Sequence, residues 1–171
     1  MNKLKTQTRE SIVEYADRYK IPEEDSFELD TSYSTFIRSL DTARFALEIK
    51  NHYQPLQALY YSKGQLSSFF INCYAGGFPN FRWNISGFIP ATQAPVDSIL
   101  PLRVLSNYLK PLTEKSRRES DHSIYVVIYW NHFMGRQSRK LIDAARTNVK
   151  TSGKNVRMIY VNNDNFLAKE F

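Results

Sequence analysis

The chain has 171 residues, 42% of them hydrophobic, and a formal net charge of +6. This length predicts one domain spanning residues 1–171, and the apolar content excludes an intrinsically disordered chain. Because no run of about 20 apolar residues occurs, the sequence predicts no transmembrane helix.

The first ten residues carry positive charge without the apolar segment that follows it in a signal peptide. We therefore predict a cytoplasmic protein; the alternative is an exported protein whose signal was removed before this numbering begins. The single cysteine, Cys73, excludes an intramolecular disulfide, and His52, His122 and His132 lack the spacing of a metal motif. The sequence predicts neither a metal site nor a cofactor.

Residues 1–31 are expected to form an N-terminal helix and an acidic loop. The amphipathic pattern over 9–20 predicts the helix, and Thr8 is a suitable N-cap. Residues 21–30 contain five acidic residues and no basic one, and we predict a loop there.

Residues 33–113 begin with the clearest helical pattern of the chain. Apolar residues recur at spacings of 4, 3 and 4 within 33–52, which predicts one helix. Two apolar strands, 56–61 and 65–75, flank Lys63-Gly64 and predict a hairpin. The predicted apolar face of the helix consists of Phe36, Leu40, Ala43 and Leu47.

An aromatic, glycine-rich segment follows over residues 76–95 and fits no secondary-structure period. We expect it to pack as an Ω-loop, with a functional cleft as the alternative. Leucines spaced by three and four residues within 97–112 then predict another helix.

The region 123–164 predicts a strand, a helix and a second strand. Residues 123–130 are apolar on both faces, as in a strand covered on two sides, and residues 156–161 predict a second buried strand. The helical pattern over 136–151 lies between them and stops near Gly153. Such a β-α-β unit has parallel strands, and we expect these two at the centre of the sheet.

Residues 130–137 have the sequence WNHFMGRQ, which resembles the active-site segment WxxWCGPC of thioredoxin-like thiol-disulfide oxidoreductases. Trp130 ends an apolar strand, Phe133 takes the second aromatic position, and Gly135 matches the glycine. Asp164 ends a segment that resembles the next family strand. The resemblance covers residues 123–164 and implies an α/β fold: a thioredoxin-like β-α-β half with an N-terminal helical segment and a β-hairpin in one mixed sheet.

The sequence departs from this family at the two cysteines, whose positions are occupied by Met134 and Gln137. A thioether and an amide can neither attack a disulfide nor resolve a mixed one, so the resemblance implies a redox-inactive member. The chain also ends at Phe171, before the family's cis-proline, final hairpin and last helix. Either those parts are absent or the 56–75 hairpin takes their place in the sheet.

The turn after the first strand of this unit is the predicted site. Ligands of α/β sheets bind at the carboxyl ends of the parallel strands, where the following helix also offers unpaired N–H groups. An anionic or peptide ligand fits such a site. The candidate residues for a ligand or partner are Trp130, His132, Met134, Arg136 and Gln137.

We expect a redox-inactive thioredoxin-like domain that acts as a binding or protein-interaction module for a protein or peptide, without catalytic residues. One alternative is an enzyme that uses Cys73 as a reactive thiol. A second alternative is a binder of nucleic acid or acidic protein through the basic face of the 136–151 helix. That basic face consists of Arg139, Arg146 and Lys150.

Overall fold

The computed structural model describes residues 4–71, 89–117 and 121–171. In this part of the chain, helices and strands form an α/β fold with one mixed sheet, which confirms the predicted fold class. None of the described helices is both long and apolar enough to cross a bilayer. The helices are α1 (Arg9–Arg18), α2 (Tyr33–Ser39), α3 (Thr42–His52), α4 (Leu102–Leu105), α5 (Gly135–Ser152) and α6 (Asp164–Glu170). The strands are β1 (Ser26–Leu29), β2 (Gln57–Ser62), β3 (Gln65–Ile71), β4 (Leu109–Pro111), β5 (Ile124–Trp130) and β6 (Val156–Asn162).

Strands β5 and β6 lie at the centre of the sheet, whose order is β3-β2-β5-β6-β1-β4. They pair in parallel along their whole length, from Ile124 opposite Val156 to Trp130 opposite Asn162. Helix α5 connects them and ends at Gly153, which takes a left-handed conformation with φ of +63°. The predicted β-α-β unit and its central position are therefore confirmed.

The predicted hairpin is confirmed and lies in the same sheet, because β2 pairs antiparallel with both β3 and β5. Its turn has φ of +49° at Lys63 and +78° at Gly64. Positive φ at both central residues gives a turn whose twist matches that of the flanking strands. The predicted strand residues 72–75, which include Cys73, lie outside the described residues, as does the aromatic segment up to residue 88.

The sheet separates two apolar cores, and alternate residues of β5 point into each. Val126, Ile128 and Trp130 join α1 and α5 in one core. Val127 and Tyr129 join α2 and α6 in the other. Burial on both sides explains the unbroken apolar run of β5 in the sequence.

The helix predicted over 33–52 is two helices. After α2, the Asp41 carboxylate caps α3 by accepting hydrogen bonds from the backbone N–H groups of Ala43 (2.9 Å) and Arg44 (3.3 Å). Of the predicted apolar face, Phe36 and Leu40 pack against the core, but Ala43 and Leu47 are exposed, Leu47 by 49%. The two residues between α2 and α3 interrupt the helical phase, so the pattern of α2 does not continue into α3; within α2, Ile37 is buried.

Two short strands lie where a loop and a long helix were predicted. β1 falls inside the acidic segment 21–30, and β4 falls inside the predicted helix 97–112, of which only α4 and a short 3-10 turn are helical. The two strands pair antiparallel, and β1 also pairs in parallel with β6. Phe27 and Leu29 are buried, so this edge of the sheet contributes to the core.

Candidate functional site

The candidate site is the turn between β5 and α5, at the carboxyl edge of the parallel strands. Trp130 and Asn162 are opposite each other in the register. The residues that follow them therefore emerge side by side. This arrangement places the 131–137 turn next to the start of α6, as a β-α-β unit requires.

Asn131 anchors the turn and is fully buried. Its side-chain amide donates to the Pro55 carbonyl (3.0 Å) and to Asn163 Oδ1 (3.1 Å), while its Oδ1 accepts from the Met134 N–H (3.0 Å). The Ser138 hydroxyl accepts from the Asn131 N–H and donates to its carbonyl. Both backbone groups and the side chain are thus hydrogen-bonded, which fixes the backbone of the turn.

Asp164 holds the second point of the turn. Both of its carboxylate oxygens accept from the His132 N–H, at 3.0 and 2.9 Å, and Asn162 Nδ2 donates to Oδ2 at 2.7 Å. Burial raises the pKa of the Asp164 carboxyl, and the hydrogen bonds from Asn162 and His132 oppose this rise. The Asp164 carboxylate is therefore fully engaged in hydrogen bonds within the fold, and it positions the backbone of His132.

The outer surface of the turn is aromatic. The His132 imidazole packs on the Tyr15 ring of α1, with 3.8 Å between ring centroids. The Arg18 guanidinium lies over the same Tyr15 ring, 4.8 Å from its centroid. Phe133, the next residue after His132 in the chain, is 46% exposed. We call these four side chains the aromatic surface.

The five candidate residues predicted from the sequence divide between the surface and the core. Arg136 and Gln137 are exposed, and His132 is half-buried within the aromatic surface. Met134 packs against the core under α1 and α5. Trp130 is 1% exposed and meets Tyr19 edge-on, so a partner cannot touch it directly.

Tyr15 and Arg18 belong to the site, and sequence reasoning missed them. They lie on α1, more than a hundred residues before the turn, and no local pattern connects the two segments. The Tyr19 hydroxyl also donates to the Gly135 carbonyl at 3.0 Å. Helix α1 thus forms one wall of the site as well as part of the core.

The predicted basic face on α5 includes one arginine that is structural. Arg146 donates to the Tyr19 and Lys20 carbonyls, at 2.8 and 2.7 Å, and to the Tyr160 hydroxyl at 3.1 Å. The two carbonyls lie at the C-terminal end of α1, where helix carbonyls lack partners within the helix. Arg146 therefore caps α1 and is not available to a ligand.

The other two residues of that face are exposed. Arg139 lies 3.9 Å from the Asp143 carboxylate, a distance at which solvent weakens the interaction. Lys150 stands one turn beyond Arg146. Two exposed cations make a weak nucleic-acid surface, because each phosphate contact adds to affinity.

A buried histidine–aspartate pair lies at the end of α3. His52 Nε2 is 2.9 Å from Asp97 Oδ2, and the imidazole stacks on Phe69 with 4.7 Å between ring centroids. Asp97 Oδ1 also accepts from the Ile99 N–H at 3.1 Å. The pair fastens the chain that covers β3 to the end of α3.

Among the described residues, no group of three or more His, Cys, Asp or Glu side chains is placed to hold a metal ion. Cys73, the predicted reactive thiol, lies outside them. The chain matches no protein-family model, and comparison with curated proteins and with solved structures found no similar protein.

Proposed function

We propose that this chain is a non-catalytic binding domain whose binding surface is the aromatic surface together with Arg136 and Gln137. The observation that carries this proposal is Phe133, an exposed phenyl ring that directly follows His132 in the chain, whose imidazole packs on Tyr15. Exposed aromatic side chains that are clustered on a fixed backbone are typical anchors of protein interfaces.

The charges around these rings favour an acidic partner. Arg136 is exposed, and within the described part of the chain its guanidinium has no ion pair or hydrogen bond. The Arg18 guanidinium already forms an ion pair with the Glu14 carboxylate on the same helix. The nearest buried carboxylate, Asp164, is already hydrogen-bonded inside the turn. We infer that the partner is a peptide segment with an apolar side chain for Phe133 and a carboxylate for Arg136.

We further propose that the domain is a redox-inactive relative of thioredoxin-like proteins. Support comes from the β-α-β unit with its turn at the family's active-site position and from the hairpin beside β5. Met134 and Gln137 stand where the family has its cysteines. Without a thiolate the turn cannot exchange disulfides, which leaves binding as its function.

Selection from a library of random peptides displayed on phage, with the full chain immobilised, tests the binding proposal. We expect enrichment of peptides in which Asp or Glu flanks an aromatic or aliphatic residue. The immobilised variant Phe133→Ser should retain at least about tenfold fewer of the phage that display these peptides, because an anchor residue carries a large share of the binding energy. Leu47→Ser is the matched control, since Leu47 is 49% exposed on the distant helix α3.

Two results would contradict the proposal. One is a selection that enriches nothing, or enriches basic peptides equally. The other is a set of peptides that bind Phe133→Ser as well as they bind the unchanged protein. The folded state of both variants is checked by circular dichroism before the selection.

A further inference from the structure

A cavity of about 530 Å³ lies at the opposite edge of the sheet from the turn, beside the amino end of β6. Val156 and Met158 of β6 supply its apolar floor, and His122, just before β5, forms part of its wall. Seven residues of β5 at about 3.3 Å each separate this edge from the turn by roughly 20 Å. The cavity is therefore independent of the aromatic surface.

An ion pair forms the inner wall of the cavity. Arg157 Nε donates to Asp25 Oδ1 at 3.0 Å, and the Arg157 side chain is 7% exposed. The same guanidinium donates to the backbone carbonyls of Glu24 and Arg117. Burial raises the pKa of the Asp25 carboxyl, and Arg157 opposes this rise. Arg157 thus fixes three chain segments around the cavity.

Two opposite charges stand at the rim and are not paired with each other. The Arg117 N–H donates to the Glu24 carbonyl at 2.9 Å, which fixes the two residues side by side. Their side chains line the cavity. Neither side chain has an ion pair or a hydrogen bond within the described residues. Lys115 is the third rim charge and pairs with Glu23 at 3.1 Å.

We propose that this cavity binds a small zwitterion of the α-amino-acid type with an apolar side chain. The Glu24 carboxylate would receive the ammonium group, and the Arg117 guanidinium would receive the carboxylate through two parallel hydrogen bonds. The aliphatic side chain would rest on Val156 and Met158. The volume lies in the range of small-molecule sites. A ligand with only one charge would contact only one of the two exposed rim groups.

Isothermal titration calorimetry of the full chain with L-methionine tests the proposal. N-acetyl-L-methionine lacks the ammonium, and L-methionine methyl ester lacks the carboxylate. We expect L-methionine to bind and each analogue to bind at least about tenfold more weakly, because each loses one charge-assisted contact. The variants Glu24→Gln and Arg117→Gln should bind L-methionine with an affinity reduced by a similar factor. Arg103→Gln, an exposed residue on α4, is the matched control.

The proposal is overturned if no binding is found up to about 10 mM, ten times the Kd of a weak millimolar site. It is overturned equally if the three ligands bind alike or if both rim variants bind L-methionine normally. Phage selection on the Glu24→Gln variant separates this site from the proposed function. Loss of amino-acid binding should leave peptide retention at the aromatic surface unchanged.

Discussion

Lys110 on β4 and Asp30 at the end of β1 form an ion pair with 2.7 Å between Nζ and Oδ2. The pair joins the two strands that form the outer edge of the sheet. Asp30 Oδ1 also accepts from the Ser32 N–H at 2.7 Å, just before α2. The variant Lys110→Met keeps the aliphatic stem and removes the ammonium, and so isolates the charge.

The expected loss of stability follows from the pKa of Asp30. The hydrogen bond from Lys110, with smaller contributions from Ser32, lowers this pKa from 3.8 to about 2. Taken whole, the shift corresponds to about 2.4 kcal/mol at about 1.36 kcal/mol per pKa unit. Because Lys110 is 56% exposed, solvent screening reduces its own share to about 1 kcal/mol.

The sign of the pH dependence is fixed by the direction of the shift. The folded-state pKa is below the unfolded value, so the carboxylate stabilises the fold above about pH 4 and this contribution disappears as the pH falls towards 2. Lys110→Met should therefore lose about 1 kcal/mol at pH 7. The difference from the unchanged protein should shrink steadily below pH 4.

Urea unfolding followed by circular dichroism, from pH 7 down to the lowest pH at which the chain stays folded, measures this difference. Lys115→Met is the control, because Lys115 and its partner Glu23 are 72% and 46% exposed and should contribute almost nothing. A loss of stability in Lys110→Met that is the same at every pH would refute the role of the Asp30 ion pair, since it would come from the packing of the aliphatic part of the side chain. An equal loss in Lys115→Met would do so as well.

Two further predictions concern the alternative functions. The chain should not reduce insulin disulfides, with dithiothreitol as the reductant, faster than buffer does; turnover that disappears in Cys73→Ser would show that Cys73 is a catalytic thiol. The chain should pass through heparin at about 50 mM salt, since only two cations of the basic face are exposed. Salt-sensitive retention that is lost in the double variant Arg139→Glu, Lys150→Glu would instead support nucleic-acid binding through the basic face. Arg146 is left unchanged in that variant because it caps α1.

The central elements could be predicted because their local signals agree with their environment. β5 is apolar on both faces, β6 is mostly apolar, and most residues of both strands are buried. In the hairpin turn, Gly64 is the residue type that a positive φ favours. In α5 the apolar positions Leu141, Ile142 and Ala145 are all buried. Each pattern required no knowledge of the rest of the chain.

The edge of the sheet could not be predicted because its strands are short and their local signals mislead. β1 has four residues within an acidic segment, and only the pairing with β6 and β4 stabilises it as a strand. Leu105 and Leu109 have helical spacing and are both buried, but the chain between α4 and β4 changes its backbone conformation. The break at Asp41 is different, since an Asp followed by helix-forming residues is a recognisable N-cap.

The candidate site could be predicted only in part, for a similar reason. The turn 131–137 was identified from its place after an apolar strand. Which of its side chains are exposed depends on helix α1, whose contact with His132 arises from the tertiary fold. The burial of Trp130 and the capping role of Arg146 depend on the same packing.

The order of strands in the sheet has a consequence for how the chain folds. β5, α5 and β6 pack together within one continuous segment, residues 124–162, so their contacts are local in sequence. β1 must instead meet β6 from near the opposite end of the chain, as in the pairing of Phe27 with Val161, and must meet β4 through the pairing of Phe27 with Pro111. The entropic cost of closing a loop grows with its length, and contacts between distant segments slow folding. The centre of the sheet can therefore nucleate locally, whereas the edge carrying Asp30 and Lys110 can form only after chain segments far apart in sequence have been brought together.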